Sequence, residues 1–154
     1  MLVLASFGLV ACSPGSEPIP SGAQTVHVTI TEDAVQLDPA TIRAGDAYLV
    51  LERAPDNAMV FVAALPGPDR APHPLTEGDV ARIARGDTEG TSISGVGAGG
   101  CSPEQDAAGR GRIGPCGNVM AVTVAPGLYA ILGDTPEVAP GAPPLPMGVL
   151  EVTP

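Results

Sequence analysis

The chain has 154 residues, enough for one domain with an apolar core. Its net charge is −10, and its seven basic residues are all arginines. This acidity argues against a nucleic-acid partner, because phosphates require a basic surface. It also argues against docking on anionic lipid through the domain's own surface. Glycine (20) and proline (18) are frequent and aromatic residues make up 3%, a composition typical of short strands joined by turns.

Residues 1–11, MLVLASFGLVA, form an apolar run that ends at Cys12. The run is too short to span a bilayer, which needs about 20 residues, and it has the character of a signal-peptide core. The junction LVAC resembles the lipobox of bacterial lipoproteins, which implies cleavage before Cys12 and a lipid on its thiol. No Lys or Arg precedes the run, as expected if the true start codon lies further upstream. A chance cysteine in a buried strand is the alternative.

The next segment, SPGSEPIPSGA, has no apolar period and is rich in Pro, Gly and Ser. We therefore expect residues 12–23 to be a lipidated cysteine followed by a flexible tether. The tether would hold a globular domain, residues 24–154, at a membrane surface in the cell envelope, outside the cytoplasm. The membrane is thus one predicted partner, through the N-terminal lipid.

Apolar runs bounded by turn residues predict the strands of this domain, and the first strand shows alternation with a period of two. This alternation is clear in TVHVTIT (25–31), and AVQL (34–37) predicts a shorter strand, followed by a turn at Pro39 and Gly45. Further strands are predicted at 47–53, 58–65, 91–94, 118–125, 127–132 and 147–152.

A long excursion between the fourth and later strands contains a predicted helix. The stretch LTEGDVARIARG has Thr76 as a candidate N-cap, Asp79 in the first turn and Gly86 as a C-terminal stop. Its apolar residues fall on one face. We expect one short helix there.

Cys101 and Cys116 bracket a polar, glycine-rich segment later in the same excursion. In an oxidising compartment two such cysteines more often pair than stay free. A disulfide closing this loop would stabilise the fold by about 3 kcal/mol. The alternative, a pair of thiolate metal ligands, lacks a nearby His or further Cys to complete four ligands.

The order of these elements resembles that of a cupredoxin. The segment VTITEDAVQLDPATIRAGDAYLVLERAPDN is followed by a strand, then VTVAPGLYAIL, a loop and MGVLEV. The resemblance covers most of residues 24–154 and is weakest between Pro66 and Gly117. It implies an all-β, Greek-key β-sandwich of about seven or eight strands, with one short helix in a long loop excursion.

Type 1 copper in that family is held by two His nitrogens, a Cys thiolate and a weak axial thioether. At the positions implied by the resemblance, residues 57–61 contain no His and residues 132–134 contain no Cys. No His follows His73, and only Met147 matches. The resemblance therefore implies a retained fold without its copper, and no cofactor is expected.

A non-standard copper site is the alternative. Thioethers suit Cu(I), and the candidate donors are Met59, Met120, Met147, His27 and His73. The simpler interpretation places both histidines at the surface and Met147 in the core.

No nucleophile–base pair or carboxylate pair stands out, so we expect no enzymatic activity. The sequence predicts a non-catalytic binding protein or a component of an envelope complex, with an unidentified envelope protein as partner. A copper-binding or electron-transfer protein is the alternative function. If the resemblance holds, the 66–117 excursion and the Pro-rich 137–146 loop should lie near the vacant copper end, where loops on a rigid sandwich bind partners.

Overall fold

A computed structural model of the chain describes residues 17–31, 33–53, 60–66, 72–96, 103–113, 117–133 and 146–154. Several predicted features lie outside these residues, namely the signal peptide 1–11, Cys12, Met59, Cys101, Cys116 and most of the 137–146 loop.

The described residues form twelve strands and two helices. The strands are β1 Glu17–Pro18, β2 Gln24–Ile30, β3 Val35–Asp38, β4 Thr41–Arg43, β5 Gly45–Arg53, β6 Val60–Pro66, β7 Pro72–His73, β8 Ser92–Val96, β9 Arg112–Ile113, β10 Val119–Val124, β11 Gly127–Gly133 and β12 Met147–Thr153. The helices are α1 Glu77–Ile83 and α2 Pro103–Gly109.

These strands form two mixed sheets. Sheet A has the order β1-β9-β10-β5-β2-β3, and sheet B has the order β4-β12-β11-β6-β7, with β8 also paired to β6. Within them β2 runs parallel to β5 and β4 runs parallel to β12, while their neighbours β3 and β11 are antiparallel. The predicted all-β sandwich is confirmed, and the strand order is consistent with a cupredoxin-like arrangement.

The main core lies between the two sheets. In β2, Val26, Val28 and Ile30 are buried and alternate with more exposed residues, as the period of two predicts. They pack in one cluster with Leu49 of β5 and Tyr129 of β11. The core is therefore built mainly from Val, Ile, Leu and Ala, as the low aromatic content requires.

Helix α1 lies on the outer face of sheet B, where its buried Ile83 packs in a second cluster with Leu132 of β11. Thr76 is the N-cap and forms a capping box with Asp79. Gly86 has a φ of +85°, the left-handed conformation that commonly ends helices. The predicted helix is thus confirmed together with the residues that start and stop it.

Four short strands (β1, β4, β7 and β9) and helix α2 were not predicted. Strands of two or three residues are too short to show alternation. Helix α2, with the sequence PEQDAAG, has no apolar stripe and begins at a proline, which is favoured in the first turn. Strand β1 lies inside the predicted tether and pairs with β9, so the described part of that segment lies against sheet A.

The 66–117 excursion does not form one loop at one end of the sandwich. Its described parts are divided: β7, α1 and β8 lie on sheet B, and β9 extends sheet A. Leu75, just before α1, forms an antiparallel β-bridge with Leu128. Leu128 lies near the start of β11, whereas Gly133 is the last residue of that strand. The expectation that the excursion lies near the copper end therefore fails for β7 and Leu75. It holds for β8, whose Val96 pairs with Val60, the partner of Gly133.

Candidate functional site

Strand register brings together the three parts of the chain that the resemblance assigns to copper. Leu132 pairs with Phe61 of β6 on one side and with Met147 of β12 on the other. Gly133 pairs with Val60, and its N–H donates to the carbonyl of Pro146 at 2.9 Å. We call this region, where β11 ends and β6 and β12 begin, the closed end.

Gly133 lies at the position of the closed end from which a metal-binding side chain would point into the space between the sheets. Along β11, Tyr129 and Ile131 belong to the core between the sheets, whereas Ala130 and Leu132 belong to the outer cluster beside α1. Alternation therefore turns Gly133 inwards. A Cβ atom added there would lie 2.7 Å from Cγ2 of Ile30, so this position holds no side chain, let alone a thiolate.

Gly148 of β12 has the same role one strand away. It shares the inner face with Leu150, which is buried in the core between the sheets. A Cβ atom added at Gly148 would lie 2.7 Å from the carbonyl oxygen of Val35 and 3.1 Å from Cγ of Leu37. The two glycines thus allow β3 to pack directly on sheet B.

Aliphatic side chains from sheet A fill the space between the sheets at the closed end. Ile30 at the end of β2 and Val35 at the start of β3 are both buried, and Leu37 packs against the same cluster. None of these side chains can coordinate a metal. The described residues of the closed end therefore do not fit a type 1 copper ion.

The methionines of the alternative copper site lie in different layers. Met147 is half-buried and packs with the outer cluster of sheet B, next to Leu132. Met120 of β10 packs against the core between the sheets. Sheet B separates the two thioethers, and Met59 lies outside the described residues.

The histidines are equally separated. His27 is on the outer face of sheet A, half-exposed, with its Nδ1 in hydrogen-bond contact with Oε1 of Glu52. His73 is exposed on β7 and pairs with Leu65 of β6. Leu65 lies four residues along β6 from Phe61, which is at the closed end. Across the described ranges, no three His, Cys, Asp or Glu residues are grouped in a way that could hold a metal ion.

A groove of about 330 Å³ opens at the other end of the sandwich, between the start of β2 and β4. It is lined by Gln24, Thr25, Pro39, Thr41, Ile42, Arg43 and Thr153. The side-chain amide of Gln24 pairs with the backbone of Arg43: Nε2 donates to its carbonyl at 3.1 Å, and Oε1 accepts from its N–H at 2.9 Å. Gln24 thus links sheet A to sheet B, a role that no pattern in the sequence indicates.

Tyr129 is a fully buried titratable residue on β11. Its hydroxyl accepts from the N–H of Ala125 at 3.1 Å and donates to the carbonyl of the same residue at 3.2 Å. Burial raises the pKa of Tyr129, and the hydrogen bond with Ala125 partly opposes that rise. The hydroxyl is thus held by a turn and acts in the fold rather than in chemistry.

In the described part of the chain, no helix combines the length and the apolar composition needed to cross a bilayer.

No protein-family model matches the sequence, and no curated protein matches it. Among solved structures, the chain is similar to auracyanin B, with 20% identity over 92% of this chain and 97% of that chain and a TM-score of 0.37. The all-β sandwich is defined by the strand order and register described above.

Proposed function

We propose that the chain is an envelope lipoprotein that carries a cupredoxin-like sandwich without type 1 copper and acts by binding another envelope protein. The lipid is carried by Cys12, and Cys101 and Cys116 form a disulfide. The domain catalyses no reaction. It faces the extracytoplasmic side of the membrane.

The observation that carries this proposal is the packing of the closed end. The position that would supply a thiolate is a glycine whose Cβ would collide with Ile30, and β3 occupies the space between the sheets. A metal centre would need this strand to leave, which would expose Val35 and Leu37. The fold is thus specialised for a closed apolar end, and a sandwich of this kind offers its surface and its loops for binding.

Copper titration tests the first part of the proposal. The chain with Cys12→Ala is titrated with Cu(II), and with Cu(I) under a reductant, and bound metal is counted after dialysis. We expect no stoichiometric uptake and no intense thiolate-to-copper absorption. Tight binding of one copper per chain would contradict the proposal and support the copper-binding alternative. Substitution of Met147 and of His73 would then identify the donors.

Fractionation of the producing cells tests the anchor. The wild-type chain should sediment with membranes and carry a diacylglyceryl-type mass on Cys12, whereas Cys12→Ser should be soluble or unprocessed. A Ser13→Ala variant, which leaves the cysteine in place, is the matched control and should behave as wild type. Crosslinking in intact cells then searches for the partner, and the absence of a reproducible neighbour would count against the binding role.

A further inference from the structure

The N-terminal segment is attached to the domain before the first long strand begins. Glu17 pairs with Ile113 and Pro18 pairs with Arg112, antiparallel, so that β1 becomes the outermost strand of sheet A beyond β9. Strand β9 is itself joined to β10 through Ile113 and Val119. The chain therefore reaches the sandwich at one defined edge.

This attachment shortens the free chain between Cys12 and the first residue that is paired with the domain. Only four residues lie between Cys12 and Glu17, and the five residue steps span at most about 17 Å when extended. If the chain were free up to Gln24, the same segment would span about 40 Å. A lipid on Cys12 would thus hold the β1–β9 edge near the membrane surface, while the opposite edge of sheet A, strand β3, lies five strand spacings, about 24 Å, beyond β1.

The charge at this edge differs from that of the whole chain. The chain has a net charge of −10. At this edge Arg112 of β9 lies opposite Pro18, Arg110 precedes it by two residues, and β1 contributes one carboxylate, Glu17. Both arginines are exposed. Basic side chains near a bilayer are attracted to anionic headgroups.

We propose that the edge of sheet A formed by β1 and β9, with Arg110 and Arg112, is the surface that rests on an anionic lipid leaflet. This orientation rests on the proposed lipidation of Cys12. It directs the β3–β4 side of the sandwich, including the groove at Arg43, away from the membrane. The net acidity of the chain opposes a wider contact with anionic lipid, so the proposed contact is confined to this edge.

The absence of lysine from the sequence allows a test that leaves the charge unchanged. Arg110→Lys places a single amine at the β1–β9 edge, and Arg43→Lys places one on β4, at the far edge of sheet B. Each lipidated full-length variant is reconstituted in vesicles of phosphatidylethanolamine and phosphatidylglycerol and treated with a short amine-to-amine crosslinker. The wild-type chain, which has no lysine, measures the background from the N-terminus.

We expect crosslinking to phosphatidylethanolamine to be several-fold higher for Arg110→Lys than for Arg43→Lys. Two insertions of the same Gly/Ser segment then identify the cause. Placed between Ser16 and Glu17, the insertion lengthens the segment between the lipid and β1 and should abolish the difference. Placed between Ser21 and Gly22, in the turn after β1, it leaves that segment unchanged and should preserve the difference.

Equal crosslinking of the two lysine variants, or equal effects of the two insertions, would overturn the proposal. Mass spectrometry of Cys12 separates this failure from failure of the proposed function. A lipid on Cys12 without a preferred edge contradicts the orientation only, whereas an unmodified Cys12 contradicts both. Vesicles of zwitterionic lipid alone should reduce the difference between the variants, and an unchanged difference would contradict the role of Arg110 and Arg112.

Discussion

At the scale of single residues, Gly133 and Gly148 decide what the closed end can contain. Both face the space between the sheets, and at both a Cβ atom would come within 2.7 Å of an atom of β2 or β3. Contacts this short force the neighbouring atoms to move: the Ile30 side chain at Gly133 and the backbone of β3 at Gly148. Glycine at both positions therefore keeps the present packing of β2 and β3 on sheet B.

Replacing Gly133 with alanine should destabilise the fold by about 1–3 kcal/mol, because the new methyl group overpacks the core against Ile30 and Val35. Chemical denaturation followed by circular dichroism measures the free energy of unfolding. Gly78→Ala is the matched control: its Cβ would lie 3.6 Å from Oγ1 of Thr76, an ordinary contact, and in helix α1 it should stabilise by up to about 1 kcal/mol.

The collision with Ile30 can be isolated in a double-mutant cycle. In an Ile30→Ala background, Gly133→Ala should cost less than in the wild type, because the opposing methyl groups are gone. An equal cost in both backgrounds would show that the loss at Gly133 has another origin.

Tyr129→Phe should destabilise the fold by about 1 kcal/mol, because the N–H and carbonyl of Ala125 lose their hydrogen-bond partner. The pKa of Tyr129 is raised in the folded chain. Folding is therefore favoured by the protonated hydroxyl, and this stabilisation is complete below the ordinary value of 10.0 and is lost as the pH rises through the folded pKa. Denaturation of the wild type and of Tyr129→Phe should therefore be compared at neutral pH and well above pH 10.0. The difference between their free energies of unfolding should be smaller at the higher pH.

At the scale of elements, α1 depends on its capping box. Oγ1 of Thr76 accepts from the N–H of Asp79 at 3.2 Å, and the Thr76 N–H donates to Oδ2 of Asp79 at 3.0 Å. Thr76→Ala should destabilise the protein by about 1 kcal/mol. The melting temperature measures this loss, and Thr88→Ala, in the loop after the helix, is a comparison threonine outside the cap.

Acid should weaken the same cap. Hydrogen bonds from Thr76 are the main cause that lowers the pKa of Asp79, with a smaller contribution from Arg82. A lowered pKa means that the ionised carboxylate favours folding, so the stabilisation is present above the ordinary value of 3.8 and is lost as the pH falls through the folded pKa. The melting-temperature difference between wild type and Asp79→Asn should therefore decrease well below pH 3.8, and a constant difference would contradict the assignment.

The longer elements could be predicted because their signals are local. Alternation identified β2, apolar runs bounded by turn residues identified β5, β6, β10, β11 and β12, and Thr76 with Gly86 marked the limits of α1. The pairing of β1 with β9 could not be predicted, because a two-residue strand is held by its partner and has no pattern of its own. Helix α2 was missed for a related reason, since its polar sequence shows no buried face.

The closed end was predictable only in part. The missing copper ligands follow from comparing residue types with a known family. The sequence does not predict that aliphatic side chains fill the space between the sheets. Gly133 contacts Ile30 only because strands about a hundred residues apart in the chain pack together. Glycine at the end of a strand usually signals a turn, and here it signals the close approach of another strand.

At the scale of the whole molecule, the proposed Cys101–Cys116 disulfide would join the start of α2 to the chain after β9. Thiol titration of the unfolded Cys12→Ala chain should find no free thiol without reductant and two with it. Reduction should lower the free energy of unfolding by about 3 kcal/mol. A Cys101→Ser/Cys116→Ser chain is the control and should match the reduced protein, and free thiols before reduction would contradict the disulfide.

The attachment of β1 to β9 also has a mechanical consequence. A pulling force applied through the N-terminal segment reaches this two-residue pair before it reaches the core. When the pair opens, the residues between Glu17 and Gln24 can extend to at most about 25 Å. They already cross four strand spacings, about 19 Å, from β1 to β2. Only then does tension act on β2, which is held between β5 and β3 along most of its length. The short strand is therefore the first contact to open under load, and it releases only a few ångströms of chain before β2 is pulled.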